Sequence, residues 1–331
     1  MIGPDDYIIA HCTEAKTRHE ATSGGVGSCI LKELFKNESI KSAISYVFDS
    51  KALQYTPTII YDAEAYSPCG SIYHEIPLLD FIKKNIGNIT SPFLCFALPC
   101  QISPIKNLLN RHNIDSFIIE LTCSSQQTHE ATGYLLSRAN INSEEIQNIR
   151  YRGLGWPSGI NITLKDGKNI FFDNNNSLWT KIFHSHLFIM PRCFFCSPIK
   201  QTPSDIQIAD PWGIDNPMME KEGRTICYIK SEKAAKCINW LHDKQMIAYE
   251  RIQEEAFYNS QIGTIIRKNF NIGHMRLTRI TRNLFQSSFY RRVVLKHNAM
   301  FSLHCMIYKV LFRCLYKVEK SFRPAKLKRY K

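Results

Sequence analysis

Short apolar segments alternate with amphipathic ones along the first 121 residues, and this alternation predicts the core of the fold. Strands are expected at residues 7–10, 43–48, 58–61, 92–97 and 117–121, where mostly apolar runs are bounded by turn-forming residues. Helices are expected at residues 26–35 and 78–84, and a third from about Ile102. Alternating strands and helices are typical of a largely parallel sheet with helices packed against it.

A second pattern runs from residue 149 to residue 172. It contains Asp166-Gly167, a dipeptide typical of tight hairpin turns, and predicts antiparallel strands. The sequence as a whole therefore predicts an α/β fold with a mixed, partly parallel sheet and flanking helices, plus a basic helical C-terminal extension.

That extension combines helical periodicity with positive charge. Residues 293–320 are predicted to form one helix, in which apolar positions recur at helical spacing and another face carries Lys309, Arg313, Lys317 and Lys320. A basic amphipathic helix suits an anionic membrane surface. It suits equally well a helix that packs on the body and leaves its basic face in solvent. Nucleic-acid binding is a weaker interpretation, because the segment has no recognised reading motif.

Charge divides the chain into two parts. The protein has 331 residues and a formal net charge of +13. From Thr264 to Lys331 there are 17 Lys and Arg residues and one acid, Glu319, so that segment carries +16 and the preceding residues carry −3. We therefore predict a globular domain over residues 1–263 and a basic amphipathic helical extension over residues 264–331.

Composition excludes several classes of protein. Hydrophobic residues make up 44% of the chain and Gly and Pro are ordinary in number, which excludes disordered, collagenous and coiled-coil chains. No apolar run reaches the roughly 18 residues of a spanning helix. The start of the chain carries Asp5 and Asp6 and lacks the pattern of a secretory signal. The expected location is the cytoplasm, with the C-terminal helix favouring a peripheral position at the inner face of the membrane.

Twelve cysteines in a reducing compartment indicate metal or redox chemistry rather than disulfides. Cys193 and Cys196 form a C-x-x-C, the spacing that lets two sulfurs bind one metal centre. Cys100 and Cys123 each follow a predicted parallel strand, at the edge where ligands collect in such sheets. We predict one four-cysteine site from these residues, with a spacing that suits zinc and an iron–sulfur cluster equally. The remaining cysteines are most simply core thiols.

A glycine-rich loop precedes the first long predicted helix. Ser23-Gly24-Gly25 comes directly before that helix, whose first-turn amides favour an anion. Arg18 adds a guanidinium that can bind phosphate in bidentate fashion. A Gly-Gly pair is also a common turn, so the loop is a candidate phosphate site that matches neither the dinucleotide fingerprint nor a Walker loop.

Five segments taken together resemble one family, the coenzyme F420 hydrogenase/dehydrogenase beta subunits. They occur in the family's order, between about residues 7 and 230. They are Ala21-Thr22-Ser23-Gly24-Gly25, Leu98-Pro99-Cys100-Gln101, Leu121-Thr122-Cys123, Arg152 with Gly155-Trp156, and Cys193-x-x-Cys196 followed by Asp205 and Asp210-Pro211-Trp212-Gly213. Each motif is weak by itself, and the shared order makes the resemblance specific.

The resemblance implies an iron–sulfur flavoprotein fold. One [4Fe–4S] cluster would be bound by Cys100, Cys123, Cys193 and Cys196, beside an FAD. The glycine-rich loop matches a family motif near the flavin, and Gly70-Ser71-Ile72-Tyr73 resembles another. The predicted cofactor-binding set is therefore Arg18, Thr22, Ser23, Gly24, Gly25, Gly70, Ser71 and Tyr73. A cluster carries single electrons, whereas a flavin collects two and exchanges a hydride with an organic substrate.

The sequence also departs from the family. Ile72 stands where members commonly have Lys, Ala209 stands where Gly is usual, and the segment from Arg152 to Trp156 is shortened and lacks an expected Lys. An early ferredoxin-like run of four cysteines is absent, so a second cluster is not expected. Electrons are expected from a separate carrier, either a ferredoxin or a reduced deazaflavin or flavin.

Three functions are consistent with these features. The leading one is an oxidoreductase that passes electrons between an external carrier and a small organic or glycan-linked substrate, in surface-polysaccharide biosynthesis by analogy with similar bacterial proteins. The second is a non-catalytic scaffold of glycan assembly with a structural four-cysteine zinc site. The third is a Cys-based acyl or glycosyl transferase that uses Cys123 with a histidine and does not need Cys193.

Overall fold

The computed structural model describes residues 1–175, 177–196, 202–214, 221–271 and 276–321. These residues form two compact units. Unit 1 comprises Met1–Cys123, Asn142–Asn174 and Thr202–Gln261. Unit 2 comprises the described residues of Ser124–Ile141, Asn175–Gln201 and the chain from Ile262 onward.

All the described strands belong to unit 1, and the helices are divided between the units. The strands are β1 (Tyr7–Cys12), β2 (Ser42–Asp49), β3 (Gln54–Ile60), β4 (Phe93–Ala97), β5 (Ser116–Leu121), β6 (Ile146–Arg150), β7 (Gly159–Leu164), β8 (Asn169–Asp173), β9 (Ile206–Ala209), β10 (Thr225–Ile229) and β11 (Ile247–Ile252). The helices are α1 (Ala15–Glu20), α2 (Val26–Lys36), α3 (Leu78–Lys84), α4 (Pro99–Arg111), α5 (Glu130–Arg138), α6 (Leu178–His184), α7 (Glu232–Asp243), α8 (Glu254–Ser260), α9 (Ile262–Asn271), α10 (Arg276–Gln286), α11 (Ser288–Lys296) and α12 (Asn298–Ser321). Helices α5, α6 and α9 to α12 lie in unit 2.

The larger sheet has eight strands in the order β11-β1-β10-β9-β5-β4-β2-β3. Its central pairs β2–β4, β4–β5 and β5–β9 are parallel, and the outer pairs are antiparallel. A second sheet, in the order β6-β7-β8, is an antiparallel meander whose last turn is made by Asp166-Gly167. The predicted mixed, partly parallel sheet with flanking helices is therefore confirmed.

The centre of the larger sheet is buried on both faces. In β5, every residue from Ser116 to Glu120 is buried, and β4 is nearly as enclosed. Continuous burial is characteristic of parallel strands covered by helices, and it explains why these two segments are apolar runs rather than alternating ones. Helices α2 and α7 cover one face, where Ile30, Leu31 and Ile238 are fully buried.

Helix α4 begins at Pro99, three residues before the predicted start near Ile102. Proline suits the first position of a helix, because its missing N–H would have no intrahelical partner there. The Gln101 side chain also accepts the Leu98 N–H at 3.1 Å. Cys100 therefore lies in the first turn of a helix rather than in the preceding loop.

A buried ion pair crosses the centre of the larger sheet. Lys230 Nζ lies 2.9 Å from Glu120 Oε2, and the exposed fractions of the two side chains are 11% and 4%. Lys230 also donates to the Thr202 and Ser204 hydroxyls, both at 2.8 Å. The same hydroxyls donate to Glu120. Each charge is thus compensated, which is the condition for keeping an ion pair inside a sheet.

Unit 2 is helical, and the C-terminal helices are part of its core. Phe270 of α9, Phe285 of α10 and Tyr308 of α12 pack together. The boundary predicted at residue 263 falls within two residues of the start of α9, and the structure adds residues 124–141 and 175–201 to the same unit. Residues 322–331 of the predicted extension lie outside the described residues.

The single helix predicted over residues 293–320 is wrong at its beginning. Two helices, α11 and α12, cover this segment, and His297 between them has extended backbone angles of φ −114° and ψ 123°. The apolar periodicity is regular through the break, so hydrophobic pattern alone did not mark it. None of the helices in the described ranges is both long enough and apolar enough to cross a bilayer.

Three histidines of unit 2 are neutral, and two of them, His186 and His304, are buried. His184 accepts a hydrogen bond from Arg267 at Nδ1. Burial, followed by the charge of Arg267, lowers the pKa of His184 to about 3. Burial also lowers the pKa of His186 and of His304. His304 Nε2 donates to the Ser185 carbonyl at 2.7 Å, so these rings are structural groups.

Replacing Lys230 by Met should destabilise the protein by about 3–5 kcal/mol, because Glu120 would keep a buried charge without its partner. Urea unfolding followed by circular dichroism measures the loss. The matched control is Lys233→Met, since the Lys233–Asp115 pair is half exposed at 44% and 58% and its removal should cost under about 1 kcal/mol. Similar losses for both variants would contradict the assigned role of the buried pair.

Acid should destabilise unit 2 through its histidines. A His whose folded pKa lies below its unfolded value near 6.5 contributes stability that is complete above that value and lost as the pH falls toward about 3. Because the His184 side chain is exposed to solvent, which screens its interaction with Arg267, the loss should stay below about 1.4 kcal/mol per pH unit under about 6.5. Unfolding free energies at several pH values measure this slope. The His184→Gln variant should have a shallower slope, and an unchanged slope would show that His184 is accessible to protons in the folded state.

Candidate functional site

The predicted glycine-rich loop connects α1 to α2 and has a fixed conformation. Gly24 and Gly25 have φ angles of +64° and +74°, in the left-handed region that favours glycine. Gly24 also packs against another segment of unit 1, because a Cβ there would lie 2.5 Å from the Thr225 N. The Gly24 carbonyl accepts the Cys12 N–H at 2.7 Å, which joins the loop to the end of β1. The loop therefore places the start of α2 at a defined position.

Arg18, predicted as a phosphate contact, lies in α1 next to this loop. Its Nε and Nη2 donate to the Gly223 carbonyl at 3.1 and 2.8 Å. These bonds fix the side chain against the turn before β10, so Arg18 positions the loop as well as adding positive charge to it. Gly223 was not identified from the sequence, and it has a positive φ of +74° close to the Trp156 side chain.

The two segments predicted to contact a flavin meet in the structure. The Thr22 and Ser71 hydroxyls lie 3.1 Å apart. Gly70 has a φ of +72°, and a Cβ on it would lie 1.8 Å from the Arg152 carbonyl oxygen. Tyr73 lies farther along, with its ring 6.2 Å from that of Tyr151 in an edge contact. The predicted cofactor-binding residues are thus adjacent, although they come from sequence positions about 50 residues apart.

Arg152 is the charged centre of this region. It is 3% exposed, and its Nη1 donates to Asp210 Oδ2 while Nη2 lies 3.4 Å from Oδ1. Burial acts against the charged form, but Asp210 and then Tyr73 outweigh it and raise the pKa of Arg152. The guanidinium also lies over the Trp212 ring, 5.6 Å from its centroid. Arg152 is therefore a permanent buried cation.

Two tryptophans border the arginine. The centroids of the Trp156 and Trp212 rings lie 5.1 Å apart. Two buried nitrogens, Trp156 Nε1 and Arg152 Nε, have no hydrogen-bond partner among the described residues. Buried donors are normally satisfied, so two orphaned N–H groups beside a permanent cation indicate a place for a ligand with acceptor atoms.

Arg150 supports the same region and was missed by the sequence reasoning. Its guanidinium donates to the Glu20 carbonyl and lies against Gly153, where a Cβ would come within 2.7 Å of Arg150 Nε. Arg150 is the last residue of β6, and nothing in the local sequence pattern distinguished it from other strand-end residues. We name the residues just described the arginine–glycine region: Arg18, Thr22–Gly25, Gly70–Tyr73, Arg150, Arg152, Trp156, Asp210 and Trp212.

Cys100 and Cys123 belong to unit 1. Cys100 is exposed in the first turn of α4, which follows β4, and the half-buried Cys123 comes two residues after β5. The two strands are parallel neighbours, with Ala97 opposite Glu120. As predicted, both thiols therefore follow the carboxyl ends of adjacent parallel strands.

Cys193 and Cys196 belong to unit 2 and are half buried. Cys193 lies in a 3-10 turn over Pro191–Phe195, and Cys196 follows it directly. The Gln126 N–H donates to Cys193 Sγ at 3.5 Å, and the Met190 N–H donates to the Gln126 carbonyl at 3.0 Å. Backbone N–H groups directed at sulfur favour the thiolate, which is the form that binds metals.

The four predicted ligands are thus divided equally between the two units. Among the described residues, no group of three or more His, Cys, Asp or Glu side chains is placed to hold a metal ion, and each unit contributes two of the four cysteines. A site built from all four sulfurs stays a prediction.

The other buried thiols behave as core residues. Burial raises the pKa of Cys95 and of Cys237 to about 12, so both are protonated at neutral pH. Cys12, Cys29 and Cys227 are also buried. His74 accepts the Tyr55 N–H at Nε2, and its Nδ1 lies 2.9 Å from the Glu75 carbonyl oxygen. Both of its ring nitrogens are occupied by main-chain partners.

Comparison with known proteins identifies a family for this chain. Two family models for the beta subunit of coenzyme F420 hydrogenase/dehydrogenase match the chain. The N-terminal model matches residues 7–83, and the C-terminal model matches residues 92–255. No curated protein matches the sequence significantly.

A solved structure has the same fold. A chain of the xenon-derivatised F420-reducing [NiFe] hydrogenase complex from Methanosarcina barkeri superposes with a TM-score of 0.59 and 14% identity, over 81% of this chain and 93% of that one. At this identity the likeness shows the fold alone. The two family matches span the strands, the arginine–glycine region and all four candidate cysteines, and on them the chain belongs to the coenzyme F420 hydrogenase/dehydrogenase beta-subunit family.

Proposed function

We propose that this chain is an oxidoreductase that uses FAD and one [4Fe–4S] cluster to pass electrons between an external carrier and a small organic or glycan-linked substrate. Its family supplies the class of reaction. The single observation that carries the proposal is the meeting, within unit 1, of the Thr22–Gly25 loop, the Gly70–Tyr73 segment and the buried Arg152.

The arginine–glycine region has the chemistry that FAD requires. The pyrophosphate of FAD is an anion, and the N-terminus of α2 and the guanidinium of Arg18 both favour anions. The Thr22 and Ser71 hydroxyls, 3.1 Å apart, add hydrogen-bonding groups between the two segments. Arg152 Nε and Trp156 Nε1 are donors that acceptor atoms of a flavin ring would satisfy.

Arg152 supplies a fixed positive charge. Because Asp210 keeps it ionised, it stays a cation when water is displaced by a ligand. Asp210 is in turn held through its carbonyl, which accepts from Gln261 Nε2 at 2.7 Å. The flavin, when bound, supplies two-electron and hydride chemistry. The protein's part is to orient the ring and to stabilise negative charge next to the guanidinium.

The thiols supply ligands for the one-electron centre. Cys123 precedes Gln126 by three residues, and Gln126 donates its N–H to Cys193 Sγ. An iron–sulfur cluster at these residues would be tuned by the same N–H···S bond. The electron carrier we propose is a ferredoxin or a reduced deazaflavin or flavin.

Anaerobic purification tests the cofactor content directly. We expect about four irons and about four acid-labile sulfides per chain, with one extractable flavin. Replacing Cys193 by Ala should remove most of the iron. Replacing Cys314, an exposed thiol of α12, should leave iron unchanged and serves as the matched control.

Two results of the metal analysis would contradict the proposal. Zinc without flavin would favour the structural scaffold. Full activity of the Cys193→Ala variant in a transfer assay, without iron, would favour a transferase that uses Cys123.

Replacing Gly24 by Ala should lower flavin affinity by about tenfold or more, because the added Cβ forces the loop away from Thr225 and an L-residue is strained at that φ. Flavin retention on gel filtration and fluorescence titration with FAD measure the effect. Gly167 is the matched control, since it has a φ of +85° and open space around its Cβ position. Equal flavin loss in the Gly167→Ala variant would show that strain alone, and not the loop position, affects binding.

A further inference from the structure

Helix α12 has two apolar faces rather than one. One face packs into the core of unit 2 and includes Phe301, Tyr308 and Leu315, which are 2%, 4% and 8% exposed. The other face is open to solvent. There Leu303, Ile307 and Val310 are 45%, 48% and 56% exposed.

The open face forms a continuous stripe along the helix. Its residues from Met300 to Val310 recur at three- and four-residue intervals, and the exposed Cys314 and Val318 follow at further intervals of four, which places them on one side of an α-helix. We call the large apolar residues among them the α12 stripe: Met300, Leu303, Met306, Ile307, Val310 and Val318. Isolated exposed apolar residues are ordinary, but a helix-long row of them marks an interaction surface.

A row of cations borders the α12 stripe. Lys309, Arg313 and Lys317 are all exposed and are spaced four residues apart, so they line one edge of the stripe. Long basic side chains in that position can lay their aliphatic stems along an apolar surface and extend their charges beyond it. The sequence offered membrane contact and packing on the body as alternatives. In the structure one face of α12 packs on the core of unit 2, and the α12 stripe on another face is open to solvent.

Charge indicates what covers the stripe. Between Thr264 and Lys331 the chain has 17 Lys and Arg residues against one acid, Glu319. A second copy of the chain would bring an equally positive surface against this one, so self-association is disfavoured. The stripe consists of aliphatic and Met side chains, without the aromatic anchors that usually dominate protein interfaces. A planar anionic surface fits this geometry best.

We propose that α12 docks unit 2 onto an anionic lipid surface. The α12 stripe lies in the boundary between headgroups and acyl chains, and Lys309, Arg313 and Lys317 lie at the lipid phosphates. This inference concerns where the protein binds and does not depend on the proposed cofactors.

Co-sedimentation of the full-length protein with vesicles tests it. We expect binding to phosphatidylcholine vesicles that contain phosphatidylglycerol, weaker binding as salt is added, and little binding to phosphatidylcholine alone. The Leu303→Ser, Ile307→Ser and Val310→Ser variants should each weaken binding by about tenfold, because each removes a buried aliphatic side chain from the interface. Lys309→Gln and Lys317→Gln should each cost about fivefold.

Matched controls come from unit 1. Phe171→Ser and Val47→Ser remove apolar side chains that are each 56% exposed, and neither should change vesicle binding. Lys83→Gln and Lys84→Gln each remove an exposed positive charge from unit 1, and neither should change vesicle binding. Circular dichroism confirms that each variant is folded.

Failure of the wild-type protein to bind the anionic vesicles would overturn the proposal and leave an acidic protein as the partner. Equal binding by the three Ser variants would overturn it as well, since only a charge effect would remain.

Discussion

The buried ion pair between Arg152 and Asp210 is the interaction on which the arginine–glycine region depends. A guanidinium that is 3% exposed requires a carboxylate beside it, and removing one partner of such a pair costs about 3–5 kcal/mol. Arg152 follows β6 and Asp210 follows β9, so the pair joins the end of the small sheet to the end of a central strand of the large one. The Trp212 ring lies under the Arg152 guanidinium, and the backbone of Gly70 packs on the Arg152 carbonyl.

Close approach of main chain to main chain is the second constraint. At Gly24 and at Gly70 a single methyl group would overlap backbone atoms of another segment, and both residues have positive φ. Gly24 thereby lets its loop pack on the segment at Thr225, and Gly70 lets its segment pack on the Arg152 carbonyl. The departures from the family pattern lie in the same region. Ile72 lies two residues after Gly70, Ala209 directly precedes Asp210, and the short Arg152–Trp156 segment begins at the buried arginine itself.

Unit 2 is assembled from three separate stretches of chain, which together form a helical core and support the C-x-x-C turn. They form a core around Phe270, Phe285 and Tyr308. Residues of the same unit also hold the C-x-x-C turn, since Gln126 bonds to Cys193 and the Arg282 guanidinium lies 6.0 Å from the Phe194 ring centroid. The described helices of the basic C-terminal segment are therefore part of the core of unit 2. The segment contributes to the fold through one side of α12 and leaves the other side exposed.

The sequence by itself determined strands β1 to β5 and helices α2 to α4 of unit 1, the placing of Cys100 and Cys123 after adjacent parallel strands, and the family, because these depend on local periodicity and on the order of short motifs. Tertiary structure decided what local pattern does not encode. Gln126, Cys193 and the C-terminal helices share a unit although they lie far apart in sequence. The bond from Arg150 to the Glu20 carbonyl and the bond from Arg18 to the Gly223 carbonyl can likewise be found only in the structure. The break at His297 and the second apolar face of α12 were likewise decided by packing, since helical periodicity shows that a residue is apolar but not which side of the helix the core will cover.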